Sequence, residues 1–205
     1  MSIATDVSPA LAIDDRAADL LFREGHTAHA FTDQPVSDQE LEGIYDLLKM
    51  APTAMNSQPL RITWVRSEEA RMDLVAHMNE GNQDKTLGAP MTAILSVDTN
   101  WHRNIGFTAP HAVGNQPYFE ENEAARVGMG TNSAWIQVGY FVLAARAMGL
   151  DAGPMTGFDA DAINAAFHAD SGHKVLAVVN LGHAAAEGIR PRGGRLAFDA
   201  ATTTV

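Results

Sequence analysis

Ala51-Pro52-Thr53-Ala54-Met55-Asn56-Ser57-Gln58-Pro59 is the stretch from which this chain is best read. Proline fixes φ and removes a backbone donor, so neither a helix nor a central strand passes through a segment framed by Pro52 and Pro59. Before it, Ser37-Asp38-Gln39-Glu40 is a capping box, and Leu41, Ile44, Tyr45 and Leu48 recur at helical spacing until Pro52 stops the run. After it, Arg61 to Val65 (RITWV) reads as a strand. The stretch is therefore a helix-to-strand connection. Its Thr53, Asn56, Ser57 and Gln58 either simply turn the chain, as such residues commonly do, or present short polar side chains to a flat polar ligand.

The pattern continues outward on both sides. A helix starts near Ser8-Pro9, serine as cap and proline in the first turn. Ser67 with Glu68 and Glu69 opens another, carried by Leu74, Val75 and Met78 and ended by Gly81. Asn82 to Lys85 then forms a polar turn, which either offers an amide and a cation to one ligand edge or only reverses the chain. Met91 to Val97 (MTAILSV) reads as a buried strand. Residues 99–130 show little periodicity and are expected to form a functional lid or a surface excursion. Ser133 to Met148 is apolar nearly all round, so it must be buried on several sides, at the centre of the fold or in a subunit interface. Gly149 ends it, with Arg146 in the last turn. Gly149 to Phe158 (GLDAGPMTGF) reads as a tight loop, either admitting a ligand close to backbone or punctuating two helices. A short helix over Asp159 to His168 and a strand over Lys174 to Leu181 follow. Helices interleaved with three strands predict a single α+β or α/β domain over residues 1–205; doubly wound sheets usually carry more strands.

Composition narrows the function. Of the 205 residues, 46% are hydrophobic and 19% charged, ordinary for a globular protein. With 25 acidic and 14 basic side chains the formal charge is −11, which disfavours nucleic acid and anionic membrane surfaces as partners. The absence of cysteine excludes disulfides, thiolate nucleophiles and cysteine-ligated metal or iron–sulfur sites. No run approaches the ~20 apolar residues that span a bilayer. Asp14 and Asp15 stand where a signal peptide would be apolar, so a cytoplasmic location is expected.

Few clusters carry chemistry. Arg190, Arg192 and Arg195 concentrate bidentate donors within six positions of an acidic chain, either an anion site or a solvated tail. His26 and His29 lack a third ligand at recognisable spacing, so no metal is expected. Gly128-x-Gly130 follows no strand and lacks a third glycine, which removes a dinucleotide fingerprint. No nucleophile elbow is present.

Four segments, APTAMNSQP, NQDKTLGAPMTAIL (Asn82 to Leu95), RAMGLDAGPMTGFD (Arg146 to Asp159) and the arginine-rich tail, occur in the order and spacing of the FMN-dependent nitroreductase family. From about Leu21 to Phe198 the chain resembles that family, and most of all its malonic semialdehyde reductase branch. The resemblance implies an α+β sandwich, a mixed sheet flanked by helices, in an intertwined homodimer with two FMN molecules in the interface. It implies that Pro52, Thr53, Ala54 and Asn56 contact FMN from the partner subunit. Asn82 and Lys85 would bond the pyrimidine edge of the flavin. Pro154, Met155, Thr156 and Gly157 would lie beside the ring, an N–H of Thr156 or Gly157 reaching N5. Arg190 and Arg192 would grip the phosphate. Where the family carries an Arg-Ser-x-Arg-like run, this chain has His26, Thr27, Ala28 and His29. Histidine and threonine still donate to phosphate without being permanent cations, so weaker or more pH-sensitive FMN binding is expected.

The implied activity is a two-stroke cycle, in which NADH or NADPH passes a hydride to flavin N5 and a small acceptor then receives it. Lys85 would support negative charge at N1–C2=O, and no side chain is assigned as nucleophile or general base. The branch points to 3-oxopropanoate (malonic semialdehyde) as acceptor, and general family habit to nitroaromatics, quinones or enones. Two alternatives share the fold: an enzyme with oxygen-dependent flavin chemistry and a non-catalytic flavin-binding protein.

Overall fold

The computed structural model describes residues 11–205, and the helix start expected at Ser8-Pro9 lies outside them. In chain order the elements are α1 (Asp15–Ala18), α2 (Asp38–Leu48), β1 (Leu60–Val65), α3 (Glu68–Ala76), α4 (Glu80–Leu87), β2 (Met91–Asp98), α5 (Ile105–Thr108), α6 (Gln116–Glu121), α7 (Glu123–Ala147), β3 (Asp151–Met155), α8 (Ala160–Phe167), β4 (His173–Gly182) and α9 (Phe198–Ala201). The four strands form one sheet in the order β1-β2-β4-β3, every ladder antiparallel. This is an α+β fold. Parallel pairing among the described residues is confined to an isolated bridge between Thr27 and Ala152, so the mixed character expected of the sheet is limited to that bridge.

Alternation along the central strands makes two cores. Met91, Ala93, Leu95 and Val97 of β2 turn one way, packing with Ile44 and Leu48 of α2 and Val138 and Phe141 of α7. Ile94 of β2 and Val178 of β4 turn the other way, toward Leu74 of α3 and Ile163 of α8. A two-residue side-chain period thus yields helix, sheet and helix in three layers. Both inner strands are buried on both faces, which is why they read as continuous apolar runs.

The capping box forms as expected. Ser37 Oγ accepts from the Glu40 amide at 3.3 Å, and Glu40 Oε2 accepts from the Ser37 amide at 2.7 Å. Gly149, at φ +79°, ends α7 in a Schellman motif: its N–H reaches Arg146 O at 2.9 Å and the Leu150 N–H reaches Ala145 O at 2.9 Å.

Several boundaries differ from the sequence reading. Gly81 does not end α3, which stops at His77, and Asn82 to Lys85 is not a turn but the middle of α4. With no large apolar side chain among those residues, α4 offers no periodicity to detect. The stretch 151–155 is the edge strand β3 rather than loop; Pro154 lacks a ladder donor, which an edge position tolerates. Residues 101–121 form short helical turns around a core of their own, Trp101, Ile105, Ala109 and Phe119, and α7 begins at Glu123 rather than Ser133. Turns of four to six residues are too short to show a helical period.

One buried imidazole ties the sheet to the end of α8. His168, 6% exposed, lies 3.2 Å from Thr63 Oγ1 of β1 and 3.5 Å from Ser96 Oγ of β2. Burial, aided by the neighbouring His173, holds its pKa below the ordinary 6.5. The fold therefore favours the neutral ring: its contribution is fully present above 6.5 and is lost as pH falls from there toward the native value. Denaturant midpoints are expected to drop between pH 7 and pH 5.5, and His168→Gln should flatten that drop. A variant with the wild-type slope would remove His168 from the acid response.

Candidate functional site

The site is assembled along the free edge of β3. The segment 27–32 crosses that edge: Ala28 N donates to Ala152 O at 3.1 Å, and His29 N to Gly188 O at 2.9 Å. Thr32 N reaches His183 O at 2.8 Å, and Phe31 bridges Ala184. Such close passage needs Gly153, because a Cβ there would stand 2.5 Å from the Ala28 carbonyl oxygen. The segment after α1 is thereby laid between β3 and residues 183–188, which lead into the arginine-rich tail.

Two cavities open along this seam. One, of about 260 Å³, is lined by Arg146, Arg190, Arg192 and Arg195 with His26, Thr27 and His29, and by no carboxylate. Four fixed cations share it in a chain of formal charge −11. Arg192 Nη2 donates to Gly25 O at 2.9 Å. Burial, then the charges of Arg190 and Lys85, hold the His29 pKa below 6.5. An anion bound here would reverse those two charge effects and favour the protonated ring.

The second cavity, about 200 Å³, shares Thr27 and His29 with the first and continues to Asn82, Lys85, Pro154, Met155 and Thr156. Asn82 and Lys85 stand three apart on α4 and so share a face. Lys85 Nζ donates to Asn82 Oδ1 at 3.3 Å, and Asn82 Nδ2 to Gly157 O at 2.9 Å, which joins α4 to the end of β3. Asn180 of β4 contributes from below, its Oδ1 accepting from Thr92 Oγ1 at 2.9 Å.

Of the residues singled out in the sequence, those at 26–29, 82, 85, 154–156, 190 and 192 thus converge on one continuous cleft. Gly157 joins them through its carbonyl. Pro52, Thr53, Ala54 and Asn56 do not line it. Their turn lies at the start of β1 beside α7, with Ala54 N donating to Ser133 Oγ at 3.2 Å and Asn56 Nδ2 to Thr108 O at 2.7 Å. Three non-glycine residues there, Met55, Asn56 and Gln58, have φ between +43° and +55°, a strained arrangement that Thr53 Oγ1 helps hold by accepting from Gln58 N at 3.2 Å. Sequence reading missed Arg146, taken as a helix-end cation, and Asn180, hidden inside a strand. Among the described residues no group of three metal-ligating side chains is clustered, His26 and His29 included.

The donor set fits a ligand with an anionic end and a flat polar body: guanidinium forks match phosphate, and an amide beside an ammonium matches a ring edge rich in acceptors. The chain belongs to the nitroreductase family, whose model matches residues 23–183. It is 48% identical over 195 residues to a Streptomyces coelicolor protein named NADH dehydrogenase/NAD(P)H nitroreductase, covering 95% of this chain and 99% of that one. Two solved structures share the fold. A Bacillus subtilis protein described as a nitroreductase has a TM-score of 0.80 at 23% identity, covering 90% of this chain and 97% of its own. An Exiguobacterium sibiricum protein, described as a nitroreductase in complex with FMN, has a TM-score of 0.80 at 18% identity, covering 97% and 100%.

Gly153→Ala tests the seam. With the facing atom a backbone carbonyl held on both sides, the added methyl should cost about 1–3 kcal/mol in denaturant unfolding, in the range of other overpacked sites. No change in stability would mean that the segment crosses β3 loosely.

Proposed function

We infer that the chain is an NAD(P)H-dependent flavin oxidoreductase that holds FMN in the cleft along β3 and reduces a small electron-poor acceptor. The observation that carries this reading is the continuity of the arginine-lined cavity with the cleft edged by Lys85 and Asn82. Arg190 and Arg192, with His26, Thr27 and His29, would hold the phosphate. Asn82 and Lys85 would hold the pyrimidine edge, and Pro154 to Gly157 would flank the ring. When bound, FMN supplies two-electron hydride chemistry at N5. The chain supplies position and charge: Lys85 keeps an ammonium at the cleft edge, where it favours the added negative charge of the reduced state. Residues 1–205 are read as one domain built around this cleft.

The proposed acceptor, on the strength of the branch resemblance, is 3-oxopropanoate, reduced to 3-hydroxypropanoate. The homologue's NAD(P)H nitroreductase name supports nitroaromatics as a second class. The working unit is proposed to be a homodimer. Trp135, Ile136 and Tyr140 of α7 are 39–46% exposed, an apolar stripe beside the buried Ala134, Val138 and Phe141. Pairing through that stripe would carry the turn at 52–56, set beside α7, toward the cleft of a second copy.

The test is the visible spectrum of protein incubated with FMN and titrated anaerobically with NADPH and NADH. Flavin bands are expected to bleach, then recover with 3-oxopropanoate or a nitroarene; bands that never bleach would leave only a flavin binder. Lys85→Met should slow bleaching far more than it weakens FMN binding, and equal losses would remove its electrostatic role.

The dimer has its own check in sedimentation velocity. Ile136→Glu is expected to give a monomer that has lost most of its FMN affinity; an unchanged dimer would exclude α7 as the interface.

A further inference from the structure

Arg146 lies 44 positions before Arg190, yet lines the same cavity. It closes α7, where the carbonyl end of the helix favours a cation. One nitrogen of its fork is spent, Nη1 donating to Leu21 O at 2.8 Å. Among the described residues no carboxylate forms an ion pair with it. Burial, and after it the charge of Arg192, work against its protonated form, while Asp151 favours it more weakly. A half-buried guanidinium facing a second cation, with no paired anion of its own, is an arrangement that a bound anion would stabilise.

Gly25 makes the arrangement. A Cβ there would stand 2.4 Å from Arg146 Cζ and 2.6 Å from Nη1, so the guanidinium fills the space of the missing side chain. The Gly25 carbonyl meanwhile accepts from Arg192 Nη2 at 2.9 Å. One glycine thus seats two arginines at the back of the cavity. Arg146 also borders a separate cavity of about 270 Å³, whose lining includes Glu24 and Asp151. Carboxylates there would repel an anion, leaving the arginine side as the only favourable one of the two.

We propose that Arg146, admitted by Gly25 and set beside Arg192, is a phosphate-binding residue of the site. The ligand it takes is a terminal phosphomonoester, and the assignment rests on reading the cleft as the seat of a phosphorylated cofactor. Arginine is a permanent cation where histidine is not, so Arg146 adds fixed charge to that of the tail arginines.

The experiment uses inorganic phosphate as the probe, with the midpoint of thermal unfolding as readout and chloride at matched ionic strength as control. Wild type is expected to be stabilised by phosphate beyond chloride. Arg146→Gln should need about tenfold more phosphate for the same shift, and Arg146→Lys should restore part of it. In the same proteins, Arg146→Gln should weaken FMN about tenfold while leaving riboflavin, which lacks the phosphate, within about twofold. A wild-type phosphate response in Arg146→Gln, or equal loss of FMN and riboflavin, would overturn the proposal. Should that variant not fold, Gly25→Ala carries the same test by displacing the guanidinium, and a wild-type response there overturns it equally. The two readings fail separately. Phosphate binding that depends on Arg146 in a protein binding neither flavin would sink the flavin assignment alone. Flavin binding without any response to phosphate would sink Arg146 alone.

Discussion

Two backbones lie almost in contact where the carbonyl of Ala28 faces Gly153, and the rest of the site follows from that approach. β3 is an edge strand, and an edge left open exposes a row of unpaired amides and carbonyls. Here the segment 27–32 covers it, bonded to Ala152 on one side and to His183 and Gly188 on the other. Because both neighbours are backbone, the geometry leaves little slack. The N-terminal histidines are thereby delivered to one end of the cleft and the arginine tail to the same end, although about 160 residues separate them in sequence. The cleft is thus the consequence of an edge being closed.

Charge is distributed against the average of the molecule. A chain with a formal charge of −11 gathers four arginines around one small cavity, with no carboxylate lining it. Mutual repulsion makes such a cluster unfavourable when empty, and the same field favours an anion that enters it. The neutral amides lie elsewhere, at Asn82 and Asn180, where a polar ring would meet hydrogen bonds and the single cation of Lys85. The cleft therefore has a polarity along its length, cationic at one end and amide-lined toward the other.

The turn at 51–59 is a second constraint of a different kind. Three non-glycine residues in the left-handed region cost about 1–3 kcal/mol each unless their surroundings hold them. Thr53, Ser133 and the carbonyl of Thr108 do so, tying the turn to α7 and to α5. Pro52, Ala54 and Asn56 are exposed on this rigid turn.

How much of this was legible depended on the range of each interaction. Local chemistry by itself determined α2 with its capping box, the Ser67 start of α3, the glycine end of α7, and the two inner strands, because i to i+3 hydrogen bonds and runs of apolar side chains are written in adjacent residues. The residues at 26–29, 82, 85, 154–157, 190 and 192 are pointed to by resemblance to a family rather than by local chemistry, and the charge balance marks the arginine tail as anomalous. Tertiary structure alone decided what lacks a local signal. β3 looks like a loop because glycine and proline are poor strand formers, and only pairing with β4 makes it a strand. α4 is too polar to show a period, and the turns between 101 and 121 are too short to show one. Arg146 reads as an ordinary helix-end cation until the absent side chain at Gly25 turns it into a wall of the anion cavity. Long-range contact made these features, and a linear pattern does not record it.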